Sequence, residues 1–177
     1  MTKIQHIKDF IVSPVDSYFF DANVWIYIYG VSSGYEKKKQ EKYSQLYRDI
    51  LDRKASLFIT ALVLSELVNR ILRIDFEGWK KSQNRINASF KKDFRNSETY
   101  KDSLNNIKEI LKEIYHHSER RPDDFNSIDF ECIINNISNK QDFNDLYLAK
   151  ICEKNKLILV TEDKDFCSYN GDLTILL

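Results

Sequence analysis

The chain has 177 residues, 42% hydrophobic and 31% charged, and its 4 Gly and 2 Pro leave little linker material, so one domain spanning 1–177 is expected. Lys plus Arg and Asp plus Glu both number 27, so the chain as a whole is no polycation. No apolar run is long enough to span a membrane, and three cysteines (Cys132, Cys152, Cys167) without CxxC spacing read as reduced, small buried hydrophobes of a cytoplasmic protein.

In chain order, Tyr18-Phe19-Phe20 is a β-prone run ending in Asp21, followed by apolar Val24 to Ile28 and a break at Gly30. Tyr43, Leu46, Tyr47, Ile50 and Leu51 recur at the spacing of an amphipathic helix. Leu57-Phe58-Ile59 is a short strand, with Thr60 placed to cap a helix from Ala61 to about Ile74. That helix is apolar nearly all round and is expected to be buried. A helical block follows from Trp79 to His117, broken near Asn96-Ser97. Asp142 to Glu153 is helix, Leu157 to Val160 a buried-type strand, and Leu173 to Leu177 a last edge strand. Strands alternating with helices predict an α/β domain with a mainly parallel sheet. The stretch from Glu119 to Lys140 gives no clear element.

Charge is unevenly spread. From Glu77 to Arg121 there are 11 Lys/Arg against 7 Asp/Glu, whereas Pro122 to Ala149 holds 6 acids and only Lys140. At 100° per residue Lys81, Arg85, Lys92 and Arg95 gather on one side of a helix and Trp79, Ile86, Phe90 and Phe94 on the other. The basic side is either a solvated surface or a track for nucleic-acid phosphates.

Four acids stand out, each with two readings. Asp21 ends a strand, and Asp163 follows another just behind Thr161; ligands of open parallel sheets bind at such carboxyl ends, yet both residues also suit solvated turns. Glu66 lies mid-helix among Leu62, Val63, Leu67 and Ile71, where a carboxylate needs a cation, be it Lys, Arg or a metal. Asp142 and Asp145, three apart at a helix start, share a face and also form a common capping pattern.

Taken together, YFFDANVWI, TALVLSELVNRIL and NDLYLAKICEKNKLILVTEDKDF resemble, in order and chemistry, the signature segments of the PIN-domain family, which includes VapC-type, toxin-like ribonucleases. The resemblance covers roughly residues 17–75 and 142–177. It implies a three-layer α/β/α PIN-like fold, with residues 77–121 as a helical insertion. It carries Asp21, Glu66, Asp145 and Asp163 over as catalytic, metal-binding acids, Asp165 and Asp142 as further ligands, and Asn23 and Thr161 as polar supports. An all-oxygen donor set suits Mg²⁺ or Mn²⁺, and no His/Cys cluster suggests zinc. His6, His116 and His117 fall outside the matched segments and read as surface residues.

The expected activity is metal-dependent endonucleolytic hydrolysis of RNA, leaving a 5′-phosphate, and residue chemistry alone does not separate RNA from DNA. Two neighbouring readings differ in partner or activity. One is the toxin of a toxin–antitoxin pair, held by a small antitoxin protein and revealed by a short adjoining reading frame. The other is a non-catalytic PIN-like RNA- or protein-binding module, which would be expected to lose core acids. PIN domains often pair, so a homodimer is a further expectation. A doubly wound nucleotide-binding protein is disfavoured, because there is no GxGxxG or Walker-type glycine pattern.

Overall fold

The computed structural model describes residues 1–31 and 37–177. Among the described residues six strands, β1 (Lys3–Gln5), β2 (Ser17–Phe20), β3 (Ser56–Ile59), β4 (Glu119–Arg120), β5 (Ile158–Val160) and β6 (Thr174–Leu176), form one sheet in the order β1-β6-β5-β2-β3-β4. Every neighbouring pair is parallel. The helices are α1 (Ala22–Ile28), α2 (Lys37–Asp52), α3 (Ala61–Ser82), α4 (Glu98–His117), α5 (Phe130–Asn136) and α6 (Phe143–Asn155). They complete the three-layer α/β/α arrangement.

The central strand explains its own composition. β2 lies between β5 and β3, covered on both faces, so Tyr18, Phe19 and Phe20 are all fully buried and the run is continuously apolar instead of alternating. The chain then turns directly into α1. Gly30 closes that helix at φ 64, with Val31 N–H donating to Ile26 O and Gly30 N–H to Tyr27 O, the paired bonds of a left-handed helix stop. Lys156, at φ 54, ends α6 in the same manner and sends the chain into β5.

Thr60 caps α3 as expected, accepting from Val63 N–H at 3.5 Å. The expectation of all-round burial for α3 fails. Val63, Leu67, Ile71, Leu72 and Trp79 are its buried residues, and Ala61, Ser65, Asn69 and Arg73 are exposed. The helix has one core face and one wet face.

The expected continuous helix through 79–95 does not form. α3 ends at Ser82, Asn84 adopts φ 51, and the chain reaches α4 through turns. Asp93 fixes this path by accepting the Ser89 amide at 2.7 Å. Phe76, Trp79, Phe90, Phe94 and Tyr100 still meet in one aromatic cluster, including a 5.5 Å Trp79–Phe94 contact, but a folded-back loop brings them together. Ile86, the outlier, is 84% exposed.

Two strands carry no sequence signal, β1 and the two-residue β4, and they occupy the sheet edges. β6 is therefore interior, paired to β1 and β5, and not the expected edge strand. Among the described residues no helix is long and apolar enough to cross a membrane.

Candidate metal centre

Three adjacent strands deliver the acids. β5, β2 and β3 lie side by side, so their carboxyl ends open at one edge of the sheet. Asp21 follows β2, Thr161 and Asp163 follow β5, and β3 leads through Thr60 into α3 with Glu66 on its second turn. Asp21 N–H donates to Val160 O at 3.0 Å, which holds the first two ends together.

Asp21 occupies the N-cap position of α1 but makes no side-chain capping bond. Its Oδ2 instead accepts from Thr161 Oγ1 at 3.0 Å and from Asn23 Nδ2 at 3.1 Å, and the residue is only 4% exposed. Burial raises its pKa, a push opposed by the Thr161 and Asn23 bonds and the charge of Arg70. The Thr161 oxygen also accepts the Asp163 amide at 3.0 Å, and Asp163 Oδ1 accepts the Asp165 amide at 2.9 Å. Both supports expected from the sequence thus touch Asp21.

Asp142 and Asp145 form a reciprocal capping box on α6: Asp142 Oδ1 accepts the Asp145 amide at 3.0 Å, and Asp145 Oδ2 accepts the Asp142 amide at 3.3 Å. Capping does not exhaust Asp145. Burial and then the Asp142 charge push its pKa up to about 7, with the Asp163 and Asp21 carboxylates adding to the rise and the Asp142 amide opposing it. Glu66 is raised by burial and by Asp21, with Asp142 contributing and Arg70 opposing. Its pairing with Arg70, at 3.3 Å, means that a guanidinium already meets the need of that carboxylate for a cation.

The fold therefore puts Asp21 and Asp142 within electrostatic reach of both Glu66 and Asp145, and Asp163 within reach of Asp145. Among the described residues, no three acidic, His or Cys side chains close on one point at ligand distance. Asp165 is exposed and touches the cluster only through its amide. The donor set, several carboxylates raised by burial and by one another, is the kind that hard divalent cations satisfy.

Two contributors escaped the sequence reading. Arg70 is one; its signal was its place four residues after Glu66 on one helix face. Glu162 is the other: it turns away from the cluster to bind Tyr43 Oη, Lys42 at 3.0 Å and Lys39 at 3.4 Å. Burial pushes its pKa up, but these partners more than offset that and hold it below the ordinary range. They anchor the loop that presents Thr161 and Asp163.

Of the four cations on the expected helix, Arg85 stands 4.0 Å from Asp93 and Arg95 lies over the Phe90 ring. Lys81 and Lys92 are exposed. Lys81 belongs to the last turn of α3, Arg85 and Lys92 to the turns that follow and Arg95 to a short 3-10 turn, so the four do not form one helix face.

A parallel three-layer fold with acids gathered at adjacent carboxyl strand ends defines a class of acidic-site α/β domains. The chain matches the sequence pattern of the PIN domain over residues 18–172 and belongs to the PIN-domain family. Comparison with curated proteins finds no match. Among solved structures it is similar to a chain in the crystal structure of VapBC2 from Rickettsia felis bound to a DNA fragment from their promoter, at 15% identity and TM-score 0.49, covering 90% of this chain and 98% of that one.

Proposed function

We infer that this PIN domain is a divalent-metal-dependent endoribonuclease whose reaction centre is built from Asp21, Glu66, Asp145 and Asp163, with Asp142 and Asp165 as outer acids. The observation that carries the reading is the Thr161 hydroxyl, which ties Asp21 to Asp163 at the head of two adjacent strands with Asp145 and Glu66 in electrostatic reach. Family membership supports it independently.

Mg²⁺ or Mn²⁺, when bound, supplies charge stabilisation at the phosphate and the leaving oxygen. Asp21, Asp145, Asp163 and Glu66 would hold the ion. Thr161 and Asn23 fix the Asp21 rotamer, and the capping box fixes Asp145. The net reaction adds water across a phosphodiester: a P–O bond forms to the water oxygen, the P–O3′ bond breaks, and a 5′-phosphate and a 3′-hydroxyl result. Of the four cations from Lys81 to Arg95, the exposed Lys81 and Lys92 are assigned as outer phosphate contacts, whereas Arg85 faces Asp93 and Arg95 lies over Phe90. A small antitoxin and a second copy of the chain are the partners that membership in this family suggests.

Incubating the protein with mixed cellular RNA in Mg²⁺, in Mn²⁺ and in EDTA tests the activity. Cleavage in the first two alone is expected. Intact RNA in all three would leave the non-catalytic binding module as the reading.

A further inference from the structure

The wet face of α3 is polar in a particular way. Ser65, Glu66, Asn69, Arg70 and Arg73, with Asn144 from the start of α6, line an open groove of about 520 Å³. Positions 66, 69, 70 and 73 lie on one helix face, so an acid of the candidate centre and two arginines share a single stripe. Arg70 is bonded to Glu66 at 3.3 Å but is 42% exposed, with donors left over. Arg73 is exposed and, among the described residues, has no acidic partner.

The other end of the groove adjoins an aromatic shelf. Leu62, at that end, donates its amide to Asp123 Oδ1 at 3.4 Å, and Tyr147 Oη donates to the Asp123 carbonyl at 2.8 Å. From Tyr147 the rings continue to Phe143 at 5.5 Å, from there to Phe130 at 6.0 Å, and on to Phe125 at 5.4 Å. Phe125, Phe130 and Phe143 are 64%, 39% and 36% exposed. Phe143 sits in the chain between Asp142 of the acidic cluster and Asn144 of the groove.

We propose that groove and shelf together hold a single-stranded RNA across the acids, with Arg73 on its phosphates, the donors that Glu66 leaves free on Arg70 beside it, and Phe125, Phe130 and Phe143 under its unstacked bases. The proposal rests on the nuclease reading. Charge complementarity favours this occupant. Carboxylates repel a polyanion, and the arginines put fixed positive charge beside them in the forked geometry that phosphate oxygens accept. Exposed rings stack on any base and so give affinity without sequence choice, whereas a duplex keeps its bases inside and offers the shelf nothing.

The test measures binding of a short labelled RNA of mixed sequence, alone and annealed to its complement, in Mg²⁺. The chain carries Asp145→Asn so that the RNA stays intact. The single strand is expected to bind at least roughly tenfold tighter than the duplex. Arg73→Gln should lower the slope of log affinity against log salt by about 0.7. Phe125→Ala with Phe143→Ala should weaken single-strand binding roughly tenfold and leave the salt slope unchanged.

Equal affinity for both forms, or variants that bind like their parent, overturns the proposal. So does loss of self-association in the phenylalanine variant with RNA binding intact, which would give the shelf to a second protein chain. A parent that binds as described but cuts no RNA defeats the nuclease reading and spares this one; a parent that cuts while the variants bind unchanged does the opposite.

Discussion

The Thr161 hydroxyl donates to Asp21 Oδ2 at 3.0 Å while its oxygen accepts the Asp163 amide at the same distance, so one fully buried side chain sets two candidate ligands. Without that donor the buried Asp21 carboxylate would keep only the Asn23 side-chain bond against its desolvation. Thr161→Val keeps the shape and deletes both bonds. We expect it to destabilise the fold by about 1–3 kcal/mol in denaturant titrations and to remove RNA cleavage, whereas Thr161→Ser keeps most of both. Parental cleavage by Thr161→Val would show that the hydroxyl is dispensable to the site.

The acids themselves give a sharper test. Asp21→Asn and Asp145→Asn each remove a ligand charge and no core volume, so cleavage should vanish while the circular dichroism spectrum persists. Mn²⁺ at about 100 times its dissociation constant should stabilise the parent by about 2.7 kcal/mol. In Asp21→Asn/Asp163→Asn that gain should disappear. An equal gain in both would place the ion elsewhere on the protein.

Metal-free stability should depend on pH with a defined sign. Asp145 has a folded pKa pushed up to about 7, above the unfolded value of about 3.9, so the folded state holds a proton the unfolded chain gives up earlier. Its contribution is favourable below the unfolded pKa and is lost as pH rises through the folded one. The raised Glu66 and Asp21 act in the same direction. In EDTA the parent should therefore lose melting temperature between about pH 4 and pH 7. Asp145→Asn should lose less and melt higher than the parent near neutrality. A parent that gains stability over that window would contradict the crowding of these carboxylates.

Much of this site was legible because its signals are local. Tyr18 to Phe20 running into Asp21, Thr60 before α3, and Asp142 with Asp145 at a helix start are readings of neighbours in sequence, and each reappears in the fold. What escaped depends on distant partners. β1 is three residues long with no buried residue, and only its pairing with β6 makes it a strand. The periodicity of Trp79, Phe90 and Phe94 arose from an aromatic cluster, and a cluster satisfied by a folded loop leaves the same trace as a helix face. Arg70 is the local exception: it stands four residues after Glu66 on the same helix face, masked by the apolar residues that surround Glu66 in sequence.

The four cations from Lys81 to Arg95 separate charge from placement. Lys81, Arg85, Lys92 and Arg95 would have acted together as one helix face, but in the fold Arg85 already faces Asp93 and Arg95 lies over Phe90. An arginine held by a carboxylate or a ring has less charge to offer a phosphate, and only Lys81 and Lys92 remain as uncommitted exposed ammonium groups among the four. Each phosphate contact to a single strand contributes about 0.7 to the salt slope, so replacing all four by Gln should lower it by about 1.4, not about 2.8. Lys81→Gln/Lys92→Gln should reproduce nearly the whole effect, and Arg85→Gln/Arg95→Gln should do little to binding. All of these variants should melt close to the parent, because the replaced groups are exposed. Affinity measured from low to moderate salt decides it. A fourfold variant with the parental affinity and slope would leave RNA contact to the arginines of α3, and a slope lowered by the full amount would mean that the Asp93 and Phe90 contacts give way when RNA arrives.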